Sequence, residues 1–145
     1  MTHPDRAASR RRLRDVAGQM RDEAHRLVAQ SAQACEALRT ELADIEAELG
    51  RLRQPDPEPQ TAAAAGHGER YRQQLVQRAA TLRLSLASET ERLALRRQEL
   101  AAARKEADGL QRLLDALEAR AQRDQVRDEQ RHTDEHNAQP RDRRG

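Results

Sequence analysis

Leucine and alanine recur every seven residues between Tyr71 and Ala121, and this repeat constrains the chain more than any other feature. Leu86, Leu93, Leu100, Ala107, Leu114 and Ala121 form one series. A second series, Leu75, Leu82, Glu89, Arg96, Ala103, Leu110 and Leu117, lies three or four positions away. On a helix of about 3.6 residues per turn the two series draw one apolar stripe, interrupted at Glu89 and Arg96. So narrow a stripe stays wet on an isolated helix, and it therefore requires a partner helix of similar length.

The N-terminal half of the chain offers that partner. Leu13, Val16, Met20, Ala24, Leu27, Ser31, Ala34, Leu38, Leu42, Ile45, Leu49 and Leu52 follow one another at spacings of three or four. At two places four follows four, which locally relaxes a left-handed supercoil. The pattern predicts a first helix over residues 10–53, about 65 Å long at about 1.5 Å per residue. Gly50 weakens its last turn, and Pro55, Pro57 and Pro59, alternating with Asp56 and Glu58, stop it. Residues 54–68 are expected to be a Pro/Ala/Gly-rich turn, and residues 69–136 a second, longer helix whose C-terminal turns overhang the first. Residues 1–9 and 137–145 read as loose ends. The expected fold is all-α, two long helices forming an antiparallel coiled-coil hairpin.

Composition agrees with a thin architecture. A chain of 145 residues with no Phe, no Trp and one Tyr cannot fill a thick core. Charged and hydrophobic residues each make up 36% of the chain, and its net charge is only +2, less lopsided than a general nucleic-acid binder requires. The single cysteine, Cys35, excludes an intramolecular disulfide and reads as a small buried side chain. The longest purely apolar run, Ala62 to Ala65, is far short of a membrane span, and no apolar segment follows the basic N-terminus. A cytoplasmic protein is expected. The low hydrophobicity also permits disorder, so an arginine-rich disordered nucleic-acid chaperone is one competing reading. Another is a coiled-coil scaffold or adaptor unrelated to any transport process. An open self-associating helix would have to run its seam through Pro55 to Pro59, which proline forbids.

Motifs for catalysis are missing: there is no Gly-rich phosphate loop, no cysteine pair for zinc and no nucleophile elbow. His132 and His136 share a helical face at the minimum spacing for two metal ligands, without an apparent third, so a solvated helix end is the better reading. Neither an enzyme nor a cofactor is expected. Two features exceed a plain coiled coil. Arg10, Arg11, Arg12 and Arg14 would approach Arg120, Arg123, Arg127 and Arg131 at the open end of a hairpin, where arginine can make charge-assisted contacts to an acidic partner. The other end gathers Ile45, Leu49, Leu52, Tyr71, Leu75 and Val76, and Tyr71 is the natural candidate for an outward contact.

These segments together resemble the FliJ/YscO family, the small coiled-coil stalk proteins of flagellar and virulence-type III secretion systems. The likeness is carried by the early Arg-Leu-Arg segment, the run DEAHRLVAQSAQACEALRTEL, the breaker, and then ERYRQQLVQRAATL. It continues in LLDALEARAQRDQVRDEQRHTDEHNA, where basic turns lead into Gln130, Asp134 and Glu135. The resemblance covers Arg10 to Ala138, and the Arg- and Ala-rich composition is closest in style to the plant-pathogen branch. It implies a hairpin similar to the central stalk of rotary ATPases, inserted into the hexameric secretion ATPase and linking it to the export gate in the membrane. Such a stalk can also escort export chaperones. It implies further that the arginine end meets the ATPase, and that Ile45, Leu52, Tyr71, Leu75, Ala79 and Leu82 meet the gate. The protein would then lie peripheral to the inner membrane through the export apparatus, without inserting into it and without binding nucleic acid.

Overall fold

The computed structural model describes residues 3–54 and 61–138. Two helices, α1 (His3–Leu52) and α2 (Ala62–Ala138), account for nearly all of them and pack as a helical hairpin, with no strand among the described residues. The expected proline turn at Pro55 to Pro59, and the tail beyond Ala138, lie outside the described residues.

Both helices begin earlier than their apolar stripes. α1 starts at His3 rather than Arg10. Pro4 sits in its first turn, where the missing N–H has no helical acceptor to lose, and Asp5 there complements the positive end of the helix dipole. α2 starts at Ala62 rather than Glu69. Thr61 caps it: its Oγ1 accepts the Ala64 N–H at 3.2 Å and its carbonyl accepts the Ala65 N–H at 3.0 Å. With that cap and four successive alanines, Gly66 and Gly68 are tolerated inside the first turns. Residues 62–68, expected to belong to the turn, are therefore part of α2.

The chain divides into two compact units, one of the described residues in Met20–Ala103 and the other of those in Met1–Gln19 and Arg104–Gly145. In the first, Ala79, Leu82, Leu93 and Leu100 of α2 and Ser31 and Cys35 of α1 are buried, and Leu27, Ala34, Leu38, Leu42, Ile45 and Leu49 are half-buried beside them. The antiparallel sense is visible in two interactions between the helices. Arg78 donates to Glu41 at 2.7 Å. The Glu23 carboxyl, held down chiefly by Arg26, also feels the charge of Arg96, so stepping back along α1 means stepping forward along α2. Arg83 and Glu46, 3.1 Å apart, close the opposite flank of the same seam. Glu89 and Arg96, the polar interruptions, occupy seam positions and are half-buried. They satisfy their charges within α2, Glu89 with Arg92 at 3.3 Å and Arg96 with Glu99 at 3.8 Å. No buried side-chain N or O atom among the described residues lacks a hydrogen-bond partner.

The second unit packs on small residues. Ala17 and Ala107 are buried, and Ala7, Gly18, Leu110, Leu114 and Leu117 are half-buried. Leu13 and Val16, expected in the seam, are instead exposed, Leu13 by 58%. Met20 is likewise exposed. Here the leucines of the interface come from α2 and α1 meets them with small residues, so the larger side chains of α1, Leu13 and Val16, lie on the flank. α1 keeps a strict seven-residue series, Ser31, Ala24, Ala17 and Arg10, at or near the interface. On α2 the buried stripe stops before Ala121, which is exposed along with every residue from Glu118 to Ala138. Beyond it the two seven-residue series continue as Asp124, Asp128, Arg131 and Glu135, so the seam turns from apolar to charged where the overhang begins.

Candidate functional site

At the arginine-rich end, Ala7, Arg10, Arg11 and Arg14 of α1 and Leu114, Leu117, Glu118 and Ala121 of α2 line a cleft of about 350 Å³. Its origin is the seam itself. Arg10 and Ala7 replace the large aliphatic residues that elsewhere cover α2, so leucine side chains are left under an arginine rim. Of the eight candidate arginines, Arg10, Arg11 and Arg14 line this cleft, and none of the α2 ladder does. Arg120 adjoins Ala121 at the cleft, whereas Arg123, Arg127 and Arg131 follow at helical spacing along the exposed overhang, with Arg123 and Arg127 flanking Val126. Sequence periodicity did not single out Leu13 and Val16 for this surface; they lie on α1 among the same arginines, and their exposure depends on which of two interleaved series faces α2.

The ion-pair map separates this end from the rest. Every ion pair between described residues falls between Arg14 and Glu99. Of the eight candidate arginines only Arg14 has such a partner, Asp15 at 3.6 Å. Elsewhere several arginines are engaged, either within their own helix or, as Arg78 and Arg83, across the pair, whereas Arg53, Arg70, Arg97, Arg104 and Arg112 make no ion pair with a described residue. Arg26 donates to both carboxylate oxygens of Glu23, and Arg72 to both of Glu69, which holds each carboxyl below its usual range.

At the other end the six candidate contacts divide. Ala79 and Leu82 are sealed in the seam, and Ile45 and Leu75 are half-buried there, so these four shape the helix pair. Leu52 and Tyr71 are exposed and are the two that a partner can touch directly. Val76, also exposed, lies one turn beyond Tyr71. His132 and His136 are solvated near the end of α2, and no group of three or more His, Cys, Asp or Glu is arranged to hold a metal ion among the described residues. No helix among those residues is long and apolar enough to cross a membrane.

The described residues form a two-helix coiled coil with an arginine-rimmed cleft at one end. Residues 11–145 match the family model described as flagellar FliJ protein, and the chain belongs to that family. The family is a non-enzymatic component of the flagellar and type III protein-export apparatus. No curated protein and no solved structure matches it.

Proposed function

We propose that this chain is the central stalk of a type III protein-export system, docking by its arginine end on the hexameric secretion ATPase and reaching the export gate through Leu52 and Tyr71. The observation that carries the reading is the set of unpaired arginines. Arg10, Arg11, Arg12, Arg120, Arg123, Arg127 and Arg131 make no ion pair with a described residue, whereas ten of the sixteen other described arginines do. Unpaired guanidinium groups around a leucine-floored cleft suit a partner that presents carboxylates beside apolar side chains. The protein contributes no chemistry; it raises the ATPase activity of the ring by favouring its assembly or asymmetry.

Replacing Arg120, Arg123, Arg127 and Arg131 together by Gln removes four charges and keeps helix propensity. Exposed pairs contribute roughly 0.2–1 kcal/mol each, so the four together should weaken binding to the ATPase about tenfold or more, while any one alone is nearly silent. The wild-type affinity should also fall with salt, as the Debye length shortens from about 10 Å at 0.1 M to about 3 Å at 1 M. A variant that remains helical and binds the ring with unchanged affinity and salt dependence would make this end a merely solvated surface. The pair Leu52→Ala and Tyr71→Ala should leave ring binding intact and weaken only the gate interaction.

A further inference from the structure

The face of α2 turned away from the seam, from Gln73 to Ala102, is almost free of charge. Gln73, Gln77, Ala80, Leu84, Ala87, Glu91, Ala94 and Gln98 follow one another at alternating spacings of four and three, the pattern of a second seam. All are exposed, and so are Val76 and Leu95, which widen the stripe. Leu84 is 74% and Leu95 54% exposed, the largest apolar side chains on this face. Glu91 is its only charge, although charged residues make up 36% of the chain. A solvated helix back would carry that share of charge. This one carries alanines, which let another backbone approach, with leucines projecting between them as knobs and glutamines able to hydrogen-bond across a helix pair. The stripe is about 44 Å long at about 1.5 Å per residue.

We propose that this face docks a third α-helix, supplied by a partner protein, with an alanine- and leucine-rich face and carboxylates along one edge. The charges beside the stripe select that occupant. Arg83 and Arg97 lie along one edge of it, seven residues to either side of Thr90; Arg83 shares its charge with Glu46 of α1 at 3.1 Å, and Arg97 has no ion pair with a described residue. A second copy of this chain docked antiparallel would bring edge to like edge, setting Arg83 against Arg97 of the other copy. A parallel copy would leave those arginines opposite neutral residues. A lipid surface is a poor match as well, since the face has few large apolar side chains and no aromatic residue. The proposal is independent of the arginine-end docking above and uses none of its residues.

The test uses the full chain and two synthetic helical peptides of about 28 residues with the same alanine/leucine face, one with glutamate and one with lysine along the edge. The glutamate peptide should bind, by fluorescence anisotropy, at least tenfold more tightly than its lysine twin. The double variant Leu84→Glu with Leu95→Glu should lose that binding by tenfold or more without loss of helicity. Arg83→Gln with Arg97→Gln should abolish the difference between the peptides. Equal affinity for both peptides, no binding at roughly millimolar concentration, or indifference to the double glutamate variant would overturn the proposal. A self-association in sedimentation velocity that Leu84→Glu abolishes would overturn it in favour of a second copy. Binding to anionic phospholipid vesicles that the same change abolishes would overturn it in favour of a membrane.

Discussion

Leu13 and Leu100 look alike in the sequence, each an aliphatic residue in a three-four stripe, yet the structure predicts opposite responses to truncation. Leu100 is only 6% exposed, whereas Leu13 is 58% exposed. Leu→Ala removes the equivalent of three methylene groups, each about 0.8 kcal/mol when fully buried, so Leu100→Ala should cost about 2.4 kcal/mol from transfer alone. A two-helix seam is open to water on both sides, so little further cost arises from a retained cavity, and the loss stays near the lower end of the usual range of about 2–5 kcal/mol. At Leu13 less than half of the side chain is withdrawn from water. The transfer loss there falls to about 1 kcal/mol, and alanine's better helix propensity returns a few tenths. Urea denaturation followed by circular dichroism measures both. With a slope of about 2 kcal/mol per molar urea, Leu100→Ala should lower the midpoint by about 1.2 M and Leu13→Ala by less than about 0.5 M, at unchanged slope. Equal shifts would refute the placement of Leu13 outside the seam. Should Leu13→Ala prove nearly neutral for folding yet weaken ATPase binding, the exposed leucine belongs to the docking surface.

Cys35, with no exposed surface, should react with a thiol reagent more than about a hundredfold slower in the folded protein than in urea, an opening free energy of about 3 kcal/mol. Immediate stoichiometric labelling of the native chain would contradict its burial. Glu23, held below its usual range by Arg26, and Glu69, held down by Arg72, keep their charge to lower pH in the folded chain than in the unfolded one. Their stabilisation is present above the unfolded carboxylate pKa and is lost as pH falls through the folded one, so the thermal midpoint should fall on acidification through the carboxylate range. Arg26→Gln with Arg72→Gln should flatten that fall. A midpoint that rises on acidification would show that these pairs do not govern the trend.

The paired part of α2 was legible because its leucines and alanines keep a seven-residue repeat, broken only at Glu89 and Arg96, and a burial pattern follows directly from such a repeat. Leu82, Leu93, Leu100 and Ala107 are buried where that repeat puts them. The start of α1 was not legible in the same way. Two interleaved series share its three-four spacing, one through Ala17 and Arg10 and one through Met20 and Leu13, and hydrophobicity favours the second. The structure buries Ala17, because close approach of small residues decides which series faces the partner, and that depends on residues of α2 far away in sequence. Helix starts were missed for a local reason. Pro4 and the glycines at 66 and 68 read as breakers, although proline is harmless in a first turn and the Thr61 cap with four alanines outweighs two glycines. At the docking ends, charge clusters were visible in the sequence, but the difference between Ala79 in the seam and Tyr71 at the surface needed the helix pair.

The change of the α2 stripe from leucine and alanine to Asp124, Asp128 and Glu135 fixes how far the two helices can zip. A helical extension fused ahead of Met1 would find carboxylates instead of an apolar groove, so lengthening α1 would not lengthen the pair. The overhang is thereby kept as a single helix by its own residues, and its whole circumference stays exposed from Glu118 to Ala138.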